Sequence, residues 1–143
     1  MKHLLIVISC FFAINQMLLA ETTVDSLKSY NTLTLSDGTV VYINPDIYAS
    51  FPGGDKEMLK FINQNLRWPK GTEEMGFQGR VFLRMVIREN GEITDVEVLR
   101  PLHELVDNEA IRVVRLMPNF IPAKVKGENV ASYFALPIRF HLR

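Results

Sequence analysis

The chain has 143 residues, a length that suits one domain. Its 16 basic and 16 acidic residues cancel, which excludes a nucleic-acid module built on a broad basic face. The one cysteine, Cys10, excludes a disulfide framework.

Met1–Ala20, MKHLLIVISCFFAINQMLLA, opens with a lysine, runs through apolar residues from Leu4 to Ile14, and closes on a small alanine before Glu21. This is the outline of a secretory signal cleaved after Ala20. Asn15 and Gln16 interrupt the apolar run and leave it short for a membrane span, an uncleaved anchor being the competing reading. Residues 21–50 read as a linker with a small hairpin. Thr32–Leu35 and Thr39–Ile43 are β-rich and flank Ser36-Asp37-Gly38, and Pro45 ends the pair. The alternative is an edge ornament, or a linker that never orders.

Phe51-Pro52-Gly53-Gly54 breaks the chain, and Asp55 is the expected N-cap of a helix over Lys56–Leu66. Leu59, Ile62 and Leu66 form its apolar stripe, with Met58 or Phe61 at the edges. Trp68-Pro69 stops it, because proline disfavours a helical residue before it. Residues 70–78 are a loop.

Gly76–Arg100 reads as the central hairpin. Val81, Leu83, Met85 and Ile87 fall on one face, and Arg80, Arg84 and Arg88 on the other. Asn90-Gly91 predicts a two-residue type I′ turn, since both positions tolerate positive φ. That register sets Met85 opposite Val96, Leu83 opposite Val98 and Arg84 opposite Glu97, an ion pair on the polar face. Phe82 and Val86 interleave with the arginines, so that stripe is expected to be covered.

Val106, Ala110, Val113, Val114 and Met117 then mark an amphipathic helix closed by Pro118. After the loop 119–127, Val130, Ser132, Phe134, Leu136, Ile138, Phe140 and Leu142 alternate strictly as a long strand. Tyr133, Arg139 and His141 point the other way. Pro137 cannot donate to a ladder, so one side of this strand is expected to be at least partly unpaired. The order predicts an α+β fold, two helices packed on one face of a three-stranded, mainly antiparallel sheet, with an extra N-terminal hairpin.

Catalytic patterns are missing. His103 and His141 sit in no metal-ligand spacing, and His103 beside Glu104 reads as a solvated pair. No nucleophile elbow or phosphate loop occurs, and Gly53-Gly54 lacks the lysine and hydroxyl residue of one. Glu73, Glu74, Asp95 and Glu97 read as surface carboxylates. No catalytic residue, cofactor or metal is therefore expected.

Four stretches in order, FPGGDKEMLKFINQNLRWP (51–69), GFQGRVFLRMVIRENGEITDVEVLR (76–100), LVDNEAIRVVRLMPNFIP (105–122) and GENVASYFALPIRFHL (127–142), resemble the TonB C-terminal domain family. The resemblance covers residues 51–143. It implies a periplasmic domain that grips a short extended peptide, the TonB box, of an outer-membrane TonB-dependent receptor, linked to energised transport. Full-length members sit in the inner membrane beside ExbB and ExbD, partners expected here only if the N-terminus is an anchor. The apolar run lacks the histidine usual in the motor-coupled helix, and no long proline-rich spacer precedes the domain. A secreted stand-alone envelope interaction or regulatory domain is the alternative. The resemblance places the contact on the last strand, at Val130, Ala131, Ser132, Tyr133, Phe134, Ala135, Arg139 and His141, by β-augmentation. The 32–43 hairpin, or a second copy of the chain in a homodimer, would compete for that edge.

Overall fold

A computed structural model describes residues 29–76 and 78–141. The expected signal or anchor over Met1–Ala20 and the polar start of the linker lie outside the described residues. The elements in order are β1 (Thr32–Thr34), β2 (Val40–Tyr42), α1 (Asp55–Asn65), β3 (Gly79–Ile87), β4 (Ile93–Arg100), α2 (Glu104–Arg115), β5 (Ala123–Val125) and β6 (Glu128–Phe140).

The sheet is larger than expected and mixed. Its order is β1-β2-β6-β3-β4, and β5 pairs separately with β6. Two additions turn the expected three antiparallel strands into six. The β1–β2 hairpin joins β6 through a parallel pairing, Val41 opposite Ala131 and Tyr42 opposite Ser132. Ala123–Val125 folds back antiparallel onto the start of β6. The turn between them, Lys126-Gly127, has φ of 50° and 78°, the two left-handed positions of a type I′ turn. Residues 31–50 thus build into the same compact unit as the rest of the domain. Further bridges join Ile47 to Lys124 and Ser50 to Ile121.

The β1–β2 and β3–β4 hairpins close with the same three-residue loop. In the first, the Leu35 N–H donates to Thr39 O and the Gly38 N–H to Leu35 O; in the second, Arg88 N–H donates to Glu92 O and Gly91 N–H to Arg88 O. Gly38 and Gly91 have φ of 85° and 87°, which closes a type I turn with a glycine bulge. The two-residue turn expected at Asn90-Gly91 is therefore one residue too short. The register follows: Ile87 lies opposite Ile93 and Val86 opposite Thr94, not one residue further on. Asp95, at φ 51°, then bulges out of β4 and restores the expected pairs Arg84–Glu97 and Leu83–Val98.

The core lies on one sheet face, beneath both helices. Val81, Leu83, Met85 and Ile87 are fully buried with Leu136, Ile138 and Phe140 of β6, Met58 and Ile62 of α1, and Val106, Ala110, Val113 and Val114 of α2. The face assigned to α2 is the face it buries, Met117 included. α1 is rotated from expectation. Leu59 is 56% exposed, and Met58 and Ile62 carry the contact with Phe61 beside them. The N-cap of α1 is Gly54 at φ 87°, so Asp55 is the first helical residue and acts through charge on the helix dipole. His103 caps α2 by accepting the Leu105 N–H on Nδ1 at 3.2 Å.

A partly buried clasp ties the helices together. Arg112 donates to both oxygens of Glu109, at 2.6 and 2.8 Å, and to the Asn65 carbonyl at the end of α1 at 2.7 Å. Glu109 also accepts the Arg67 N–H at 2.8 Å. An orphan helix carbonyl and the residue that leaves the helix are thus both satisfied by α2.

Candidate functional site

Successive residues of a strand point their N–H and C=O to opposite sides, so pairing on one side fixes what faces the other. In β2 the odd residues turn toward β1: Thr39 O accepts from Leu35, and the Ile43 N–H donates to Asn31 O. Val40 and Tyr42 therefore face β6. The parallel register of Tyr42 with Ser132 then puts the backbone of Ala131 and Tyr133 toward β2. By the same alternation, Ala135, Pro137 and Arg139 turn their backbones outward, and Ser132, Phe134, Leu136, Ile138 and Phe140 turn theirs toward β3. The β3–β6 ladder is continuous from Gly79–Phe140 to Ile87–Ser132, and Pro137 sits opposite Phe82 within it. A proline fits there because its missing donor falls on the outer side.

The last strand is therefore not a simple edge. On the outer side its start is covered by β2, at Ala131 and Ser132, while Val130 pairs with Ala123 on the side that β3 takes further along. Beyond β2, among the described residues, no strand or backbone bond occupies the outward positions Ala135, Pro137 and Arg139. All three side chains are exposed. Of the residues expected to bind a partner, Ala135 and Arg139 lie on this open stretch and Tyr133 at its start. Phe134 points its backbone at β3 and its ring at Phe120, 5.1 Å away, and His141 lies exposed just past the strand. Proline at Pro137 was the usable signal; the covering of 131–132 left none, because β2 and β6 are some 90 residues apart in the chain.

The sheet face opposite the helices is partly covered, as the interleaved arginine stripe implied. Val41 packs there against Val86 and Ala131, with Leu35 and Tyr133 at the margin. Arg84 forms the expected ion pair with Glu97, and its guanidinium also lies 4.6 Å from the Tyr133 ring centre. Arg88 fastens the first hairpin: it donates to Thr39 Oγ1 at 2.6 Å and to Asp37 at 3.0 Å, and it reaches Thr94 and Asp95 from the same guanidinium. The Thr39 backbone N–H and hydroxyl, then Arg88, hold the Asp37 carboxyl below its usual range.

The family model described as the Gram-negative bacterial TonB protein C-terminal matches residues 64–142, more than half of the chain. The solution structure of the Helicobacter pylori TonB C-terminal domain is similar at 23% identity, over 64% of this chain and 87% of that one, with a TM-score of 0.46. A search of curated proteins finds no match. The matched family is a protein-interaction domain of the periplasm or envelope, not an enzyme, and its members interact with outer-membrane receptors. This chain belongs to the TonB C-terminal domain family.

Proposed function

We propose that the domain grips an extended peptide, the TonB box of an outer-membrane TonB-dependent receptor, by adding it to the outer edge of β6 beyond Tyr133. The observation that carries this reading is the two-residue length of the β2–β6 pairing, after which the outward positions of β6 have no strand beside them among the described residues. Ala135 and Arg139 each offer an N–H and a C=O to an added strand, and Pro137 offers a C=O alone. Main-chain pairing of this kind supplies affinity, and side chains on the two faces tune it. The domain would do this in the periplasm, delivered there by Met1–Ala20, in the service of energised transport.

A second reading has its own support. Residues 31–50 belong to the folded unit. Were Met1–Ala20 an uncleaved anchor beside ExbB and ExbD, the ten residues between it and Asn31 would span at most about 35 Å. A domain held that close to the inner membrane would act as an envelope interaction or regulatory module without force transmission.

Calorimetric titration of a receptor TonB-box peptide into the folded chain tests the first reading. The wild type is expected to bind, and Ala135→Pro, which removes an outward donor and no β3 bond, to bind at least about tenfold more weakly, by the loss of one desolvated hydrogen bond. Equal binding by both proteins would exclude this edge.

A further inference from the structure

The arginine row of β3 is neutralised unevenly along its length. Arg88 meets Asp37 at 3.0 Å and Asp95 at 3.2 Å, and Arg84 meets Glu97. Arg80, at the far end, has no carboxylate partner among the described residues; its cross-strand neighbour is Arg139. Like charges directly opposite each other destabilise a sheet. Two pairs further in, on the same face, Phe82 lies between Pro137 on one side and Arg100 on the other, with the Arg100 guanidinium 5.3 Å from its ring centre. Arg80, Arg100, Arg139 and His141 are all exposed. Gln78, Gly79, Arg80, Arg139, Phe140 and His141 line a surface hollow at this end of the sheet. Three arginines thus surround an apolar centre on the helix-free face, immediately beside the open stretch of β6.

We propose that this patch receives carboxylate side chains of the bound peptide, so that the domain selects extended segments carrying an acidic residue beside Arg139. This rests on the edge reading given above. In a strand added to β6, every second side chain falls on the helix-free face, about 5 Å from its neighbour in β6. A glutamate or aspartate at the position beside Arg139 comes within reach of that guanidinium, with Arg80 one strand further in. Its arrival relieves the Arg80–Arg139 repulsion as well as forming a new ion pair. The chain as a whole has 16 basic and 16 acidic residues. The excess positive charge is therefore local, on the scale of a few side chains, which suits a peptide better than a bilayer surface.

The test uses the folded full chain and a receptor TonB-box peptide in two series, one scanning glutamate and one scanning glutamine along its length. One glutamate position is expected to bind about five- to tenfold more tightly than its glutamine counterpart at low salt, the range for two partly exposed ion pairs. That gain is expected to vanish at high salt, and in Arg139→Gln and Arg80→Gln. Both variants remove one of two opposed like charges and are expected to be at least as stable as the wild type. Equal binding by the two series overturns the patch and leaves the edge standing. If neither series binds, a hexaglutamate peptide decides: shifts in the Arg80 and Arg139 NMR signals would keep the patch and remove the edge, and their absence would remove both. Competition by anionic vesicles but not by hexaglutamate would assign the patch to lipid and overturn the proposal.

Discussion

The Phe120 N–H donates to the Gly91 carbonyl at 2.8 Å, and the Gly91 α-carbon lies so close beneath that a Cβ built on it would stand 2.0 Å from the Phe120 oxygen. The tip of the central hairpin is thereby sewn to the loop after α2. Gly91→Ala meets both this collision and a left-handed φ, and is expected to cost about 2–4 kcal/mol in urea denaturation. Gly38 occupies the same turn position with nothing within 4 Å of a built Cβ, so Gly38→Ala is expected to cost only the backbone term, about 1–2 kcal/mol. Equal losses in the two variants would mean that the close approach contributes nothing.

Ser132 is fully buried, and among the described residues its hydroxyl has no hydrogen-bond partner. An unsatisfied buried hydroxyl costs about 1–3 kcal/mol. Ser132→Ala keeps the backbone pairing with Ile87 and is expected to raise stability by about 1 kcal/mol. A variant less stable than the wild type would show that the hydroxyl is bonded.

What the sequence made legible was whatever depends on one strand or one helix at a time. Strict alternation in β3 and β6 and the stripe of α2 fixed their buried faces, because a shift of one residue would expose every apolar side chain. Arg84–Glu97 and Leu83–Val98 were readable, although the turn was not: the glycine bulge at Gly91 and the extra residue at Asp95 cancel by the time the register reaches them. Leu59 misled because an i, i+3, i+7 stripe fits two rotations of a short helix, and packing into the common core chose Met58 and Ile62. The parallel contact of β2 with β6 joins two short strands far apart in the chain, and no local pattern encodes it. That contact decides how much of the candidate edge is open.

Leu83 and Leu59 make a paired test of the core. Leu83 is fully buried and Leu59 is 56% exposed. Leu83→Ala is expected to destabilise by about 2–5 kcal/mol, and Leu59→Ala by less than about 0.5 kcal/mol, as for surface sites. Comparable losses in chemical denaturation would place α1 in the rotation that the stripe alone suggested.

The Glu109 clasp predicts a pH dependence. Burial works against its charged form, and the Arg112 hydrogen bond, the Arg67 N–H and the two guanidinium charges outweigh it, holding the carboxyl below its ordinary 4.5. A depressed folded value means that the stabilisation is complete above pH 4.5 and is lost as the pH falls through the folded value. The stability difference between the wild type and Glu109→Gln is thus expected to be constant near neutrality and to shrink on acidification below pH 4.5. A difference that grew on acidification would contradict the clasp.

Amide hydrogen exchange with and without a receptor TonB-box peptide tests the open edge of β6 most directly. Peptide is expected to slow exchange at the outward amides of Ala135 and Arg139, to leave the β3-facing amides of Leu136 and Ile138 unchanged, and to leave the opposite edge strand, β4, untouched. Protection confined to β4 between Ile93 and Arg100, with Ala135 and Arg139 exchanging as before, would contradict the open edge.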